Sequence, residues 1–113
     1  MKEIKAVLQP HVLSRVIHAL HELPHFPGLT VFDALGQGRG RGKDGEFVLT
    51  DESLFFHKKK LLEIVADDAL APQIVEIIRK TAHTGTHGDG VILVTDIESA
   101  VRIRTGEVRG EAL

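Results

Sequence analysis

Thr84-Gly85-Thr86-His87-Gly88-Asp89-Gly90-Val91-Ile92-Leu93-Val94 is the stretch whose reading decides the fold. Its first seven residues form a Gly-rich turn, and the four that follow read as a strand. The run before it, ending near His83, reads as a helix. Glycines let the backbone curl tightly and offer several N–H groups to one bound anion. The stretch is therefore both the end of a β-α-β unit and a candidate phosphate cradle.

Upstream of the turn, residues 57–66 read as a strand, from Lys58-Lys59-Lys60 into Leu61-Leu62-Glu63-Ile64-Val65-Ala66. Asp67 or Asp68 can N-cap the helix that follows. Its apolar face is Leu70, Ile74, Ile77 and Ile78, flanked by Val75, with Pro72 acceptable in the first turn. Downstream, residues 91–96 make a strand and Glu98–Arg104 a short helix or extended piece. Arg102 and Arg104 stand two apart, so on an extended chain both guanidinium groups point to one face. Twin forks beside a nest of backbone donors can hold a polyphosphate. The tail 107–113 is polar.

The first half repeats the pattern. Residues 2–9 alternate as a strand up to Pro10, which sits just before or at the first turn of a helix. Val12, Leu13, Val16, Ile17, Leu20 and Leu23 line one face of that helix. Pro24 stops it, and Pro27-Gly28 completes a turn. Residues 29–35 read as the second strand. Then comes Gly36–Gly45, in which five of ten residues are glycine. No core can be built from it, so residues 37–56 are expected to form a long loop that stays flexible until something binds.

The order β-α-β-loop-β-α-β predicts an α+β, ferredoxin-like βαββαβ sandwich, with an antiparallel sheet carrying two helices on one face. The strands are apolar on both parities, so the other sheet face also wants cover. A homo-oligomer whose sheets pack together would supply it.

Bulk composition agrees. The chain has 113 residues, 42% hydrophobic but only 4% aromatic, and a formal net charge of −2. One domain spanning 1–113 is the natural expectation. No basic field draws it to nucleic acid. Cysteine is absent, which removes disulfides, Cys-ligated metal and thiol nucleophiles. No stretch has the length of a signal peptide or a membrane span, so a cytoplasmic protein without membrane insertion is expected.

The sequence resembles the PII signal-transduction family nearly end to end. The resemblance is carried by Ile4-x-Ala6-Val7-Leu8-x-Pro10, by Gly28-x-Thr30-Val31 before Gly36-x-Gly38-Arg39, and by Lys59 with Glu63-Ile64-Val65. Thr84-Gly85-x-x-Gly88-Asp89-Gly90 and Val101-Arg102-Ile103-Arg104-Thr105-Gly106-Glu107 add the most specific motifs. It implies a non-enzymatic regulatory homotrimer binding adenine nucleotide (ATP, ADP or AMP) in clefts between subunits. Loop 37–56 would dock on a protein partner such as a membrane transporter. On matching positions, Gly88, Asp89 and Gly90 would cradle phosphate, and Arg102, Arg104 and Arg39 would carry its charge. Thr30 and the backbone near Val65 would hold adenine, with Val7, Gly36, Gly38, Lys59 and Glu63 lining the rest.

Three departures from the family pattern narrow this. Gly40 stands where the family usually has the glutamine that helps hold magnesium and 2-oxoglutarate. Val91 stands where a lysine usually contacts phosphate, so ADP or AMP is expected to bind at least as well as ATP. The chain has no tyrosine, so uridylylation of a loop tyrosine is impossible. As a divergent relative, the chain would have room in its reading for a small anion such as bicarbonate as a second signal, which no residue of the sequence specifies.

Other motifs compete. His21-Glu22-Leu23-Pro24-His25 matches H-E-x-x-H, but Pro24 breaks the helix a zinc protease needs. His18, His21 and His25 are candidate surface metal ligands, and with them a metal-binding trimer resembling CutA-like proteins is the alternative. A slow ATPase is a third reading, with Asp89 or Glu63 as the carboxylate that would activate water. Gly40–Gly45 matches G-x-G-x-x-G without a following helix, a poor Rossmann fingerprint.

Overall fold

The computed structural model describes residues 1–37 and 56–108. Gly38, Arg39, nearly all of the loop expected at 37–56 and the tail from 109 lie outside the described residues. Strand β1 is Lys2–Leu8, followed by a 3-10 turn at Pro10–Val12 and helix α1 at Leu13–His21. Strand β2 is Thr30–Gly36, β3 is His57–Ala66, helix α2 is Ala71–Ala82 and β4 is Val91–Asp96. The four strands form one antiparallel sheet in the order β2-β3-β1-β4. This is the expected ferredoxin-like arrangement.

Alternation along the strands sorts side chains onto two faces, and residues directly opposite one another across a ladder share a face. One set is Ile4, Ala6 and Leu8 of β1 with Leu62, Ile64 and Ala66 of β3, and all six are buried. Val12, Val16 and Leu20 come down on them from the α1 side, at the i, i+4, i+8 spacing of a helix face. Ala71, Ile74, Ile78 and Ala82 do the same from α2. The core is thus aliphatic. Truncating one of its isoleucines or leucines to alanine costs about 2–5 kcal/mol in such packing.

The opposite face is open. The register lays Val91, Val7, Leu61 and Phe32 side by side across all four strands. The next row is Leu93, Lys5, Glu63 and Thr30. Phe32, Val91 and Leu93 are exposed at 44%, 51% and 51%. An apolar row crossing a whole sheet in contact with water is unusual for a chain that works alone.

Three local expectations need correction. Helix α2 begins at Ala71, with Leu70 at its N-cap and no side-chain cap. The Asp67 carbonyl accepts from the N–H groups of Leu70 and Ala71 instead. Asp68 faces away from that role because its carboxylate pairs with the Met1 ammonium, which lowers its pKa. Second, α1 stops at His21, short of the Leu23 on its expected apolar face; the H-E-x-x-H stretch leaves the helix after its first histidine, in keeping with Pro24. His25 takes a left-handed φ of 62°, and His21 stacks edge-on to Phe26 with ring centroids 5.2 Å apart. Among the described residues no three His, Asp or Glu side chains converge as a metal site, so His18, His21 and His25 do not assemble one within the chain. Third, residues 98–104 are neither a helix nor a regular strand. Val101 and Val108 form an isolated antiparallel bridge, with a turn at 103–105 between them.

Candidate functional site

The end of β1, the start of β4 and the first part of β3 meet at the Gly-rich turn. Gly90 has a left-handed φ of 104°, and any Cβ there would collide with the Val7 carbonyl. The turn is therefore seated directly on the β1 backbone, and only glycine permits it. From β3, Lys59 stretches toward the turn and donates from Nζ to the Gly88 carbonyl at 3.3 Å. A Cβ at Gly36 would lie 3.2 Å from Lys59 Cγ, so Gly36 leaves room for that lysine stem. Val7, Gly36, Lys59, Gly88, Asp89 and Gly90 are thus brought together at one end of the open face.

Asp89 organises the turn from inside. Its carboxylate accepts from the Thr84 hydroxyl and from the Thr84 and Gly85 N–H groups at 2.8 and 2.9 Å. Thr86 donates to it at 3.3 Å. These donors hold the Asp89 carboxyl well below the usual carboxylate range, the Thr84 hydroxyl contributing most. The Asp89 N–H itself goes to the Thr86 carbonyl. So the Asp89 side chain and N–H shape the loop, and this Asp is committed to structure. His83 Nδ1 approaches the same carboxylate at 3.7 Å.

Two concavities flank this centre. One, of about 410 Å³, runs from the end of α2 past Asp89 and Gly90 and has Arg79 and His83 in its lining. The other, of about 450 Å³, lies at β2 and β3 and is lined by Pro10, Leu35, Lys58, Lys59 and Lys60 among others. Lys60 there is paired with Asp33, so its charge is already answered.

The remaining expected residues divide. Thr30 and Glu63 sit opposite each other on the open face, one row further from the turn than Leu61 and Phe32, and Val65 lies one row beyond. Arg102 and Arg104 are elsewhere, on the 101–108 hairpin. There the Arg102 N–H donates to the Glu107 carbonyl and the Gly106 N–H to the Arg102 carbonyl, each at 2.8 Å. Arg104 lies within the turn, so the two arginines do not share one face of a strand. All residues from 101 to 108 except Arg102 are exposed, Ile103 fully so.

Sequence reasoning missed Gln9. It donates from Nε2 to Thr86 Oγ1 at 3.3 Å and lies against Gly88. The available signal was its parity: it follows Lys5 and Val7 in the alternation of the open face, immediately before Pro10.

Comparison with known proteins gives the same direction. A family model described as nitrogen regulatory protein P-II matches residues 1–107. The chain is 42% identical over 113 residues to the nitrogen regulatory protein P-II of Azospirillum brasilense, covering 100% of both chains. It is equally similar to the protein of that name from Rhodospirillum rubrum, again 42% identical with 100% of both covered. A third relative, the nitrogen fixation nifHD region GlnB-like protein 2 of Methanothermococcus thermolithotrophicus, is 34% identical over 95% of this chain and 94% of its own.

Proposed function

The chain belongs to the nitrogen regulatory protein P-II family, and from that premise we propose that it is a regulator whose signal is adenine nucleotide. ADP, AMP or ATP occupies clefts between copies of a homotrimer, and segment 37–56 passes the state of the cleft to a protein partner such as a transporter. The family is one of regulators, and no enzymatic step is assigned to this chain. No helix among the described residues is long and apolar enough to cross a membrane. A cytoplasmic site of action belongs to the proposal.

The observation that carries the reading is the convergence of Lys59 and the Gly88-Asp89-Gly90 turn on the end of β1. A lysine ammonium beside a tight glycine turn is the chemistry of phosphate binding. The arginine hairpin supports a seam between copies. It has exposed apolar residues at Val101, Ile103 and Val108 that need a surface to lie on, and two guanidinium groups next to them. The apolar row on the open sheet face is a surface of matching character.

Val91 refines the ligand. It opens β4 on the open face, level with Val7, and is half exposed. An aliphatic side chain there adds no charge for a third phosphate, so ADP and AMP are expected to bind at least as well as ATP. Titration calorimetry with each nucleotide, with and without magnesium and bicarbonate, alongside light scattering for mass, tests the proposal. Micromolar-range ADP binding by a trimer supports it, and a monomer without nucleotide affinity overturns it.

A further inference from the structure

The glycines of the turn are not equivalent. Gly85 and Gly90 have left-handed φ values of 87° and 104°, a conformation that L side chains resist. Gly88 is not among the positive-φ residues, so its backbone does not demand glycine. The space of its missing side chain is filled by Gln9. A Cβ on Gly88 would lie 2.8 Å from Gln9 Nε2 and 3.7 Å from Gln9 Cδ. The same Nε2 donates to Thr86 Oγ1 at 3.3 Å. Thr86 Oγ1 is 3.1 Å from Thr84 Oγ1 and donates to Asp89 Oδ1 at 3.3 Å. Asp89 in turn fixes the Thr84 and Gly85 N–H groups. A chain of hydrogen bonds therefore runs from the end of β1 into the turn, entering through one neutral side chain.

The geometry points to Gln9 as a positioning residue. Its amide occupies the notch left by Gly88 and, through Thr86, holds the turn in the shape that presents its remaining N–H groups to an anion. The role assigned to the turn rests on the nucleotide reading above. Lys59 also reaches the turn from the sheet, but it brings charge to the Gly88 carbonyl. Gln9 brings none, so its loss should change affinity without changing the salt dependence of binding, whereas loss of Lys59 should flatten that dependence.

The test compares the full-length wild type with Gln9→Ala, Gly88→Ala and the double variant, by ADP titration and by amide NMR of the ligand-free protein. Gln9→Ala is expected to weaken ADP about three- to tenfold, the worth of one neutral hydrogen bond. Gly88→Ala is expected to weaken it more, because the new methyl displaces Gln9. The double variant should return to within about threefold of Gln9→Ala, since the methyl then enters an empty notch. In the ligand-free protein, Gln9→Ala should move the amide resonances of Thr84, Gly85 and Gly88. Gln9→Asn, one methylene too short, should behave as Gln9→Ala. Independent, multiplying losses, unmoved resonances or a changed salt dependence in Gln9→Ala would each overturn the role. If Gly88→Ala does not fold, the Gln9 variants and their spectra still decide. A wild type that binds no ADP while Gln9→Ala moves those resonances would end the nucleotide reading and leave Gln9 as the residue that positions the turn.

Discussion

The Gly-rich turn 84–90 and the hairpin 101–108 both carry groups suited to phosphate, and the chain treats them in opposite ways. The turn is seated on the Val7 backbone, cross-linked by Asp89 and reached from the sheet by Lys59 and Gln9. The hairpin is closed by its own backbone hydrogen bonds, with Ile103 wholly exposed and Val101 and Val108 at 57% and 50%. One region has its shape set by its own chain. The other has its shape but lacks a resting place. On the proposed reading, the resting place of the exposed hairpin tip is the apolar sheet face of another copy.

The sharpest way to break the first half of this contrast is Gly90→Ala. A side chain there must adopt a left-handed φ and overlap the Val7 carbonyl, and neither strain can relax without parting β1 from the turn. The expected loss is about 3 kcal/mol or more in denaturant unfolding, the range of strained, overpacked positions. A loss below about 1 kcal/mol, the level of an ordinary substitution, would show the turn to be loosely seated.

For the second half, the paired substitution Arg102→Ala and Arg104→Ala should weaken ADP binding at least about tenfold per arginine, as expected for charge-assisted hydrogen bonds. Thermal stability should change less than in Gly90→Ala, because Arg104 is exposed and Arg102 is only half-buried. Unchanged affinity in calorimetry would remove the arginines from the site. Ile103→Asp tests the resting place. Light scattering should report a fall in mass toward the monomer, and the unfolding midpoint should fall only by what association contributed, since a fully exposed side chain adds little to a lone chain. A variant that keeps both mass and midpoint would mean that the hairpin tip touches nothing.

The smallest effect concerns pH. The Asp89 carboxyl sits below its ordinary value, so the folded state favours its charged form. That stabilisation is complete above the unfolded carboxylate pKa of about 4. It is lost as the pH falls through the lower folded value. Asp89→Asn should therefore lower stability at neutral pH and flatten the acid side of the stability profile below about pH 4. An acid limb as steep as that of the wild type would assign it to other carboxylates, such as Asp33 and Asp68, whose values are also lowered by their ion pairs.

What could be read in the sequence follows the same division. The strands and the two helices were legible because their periods are local: 2 along β1 and β3, 3.6 along α1 and α2. Pro10, Pro24 and the glycines punctuate them. The turn was legible because Gly85 and Gly90 answer to backbone conformation. The start of α2 was not, because the partner that takes Asp68 is the Met1 ammonium, 67 positions away. Gln9 was not, because its meaning depends on Thr86, 77 positions on. The 101–108 hairpin was not, because Val101-Arg102-Ile103-Arg104 alternates as an extended piece does, while the chain turns at 103–105 between the bridged Val101 and Val108.

Complementation between two defective copies tests the shared site most directly. One variant carries Lys59→Ala and keeps its arginines. The other carries Arg102→Ala with Arg104→Ala and keeps its turn. Each alone should bind ADP poorly. Co-expressed in equal amounts and purified as mixed oligomers, they should regain wild-type affinity at a fraction of sites, where an intact turn meets an intact hairpin from the other copy. Mixed oligomers that bind no better than either parent would contradict the account, since turn and arginines would then belong to one chain or to no common site.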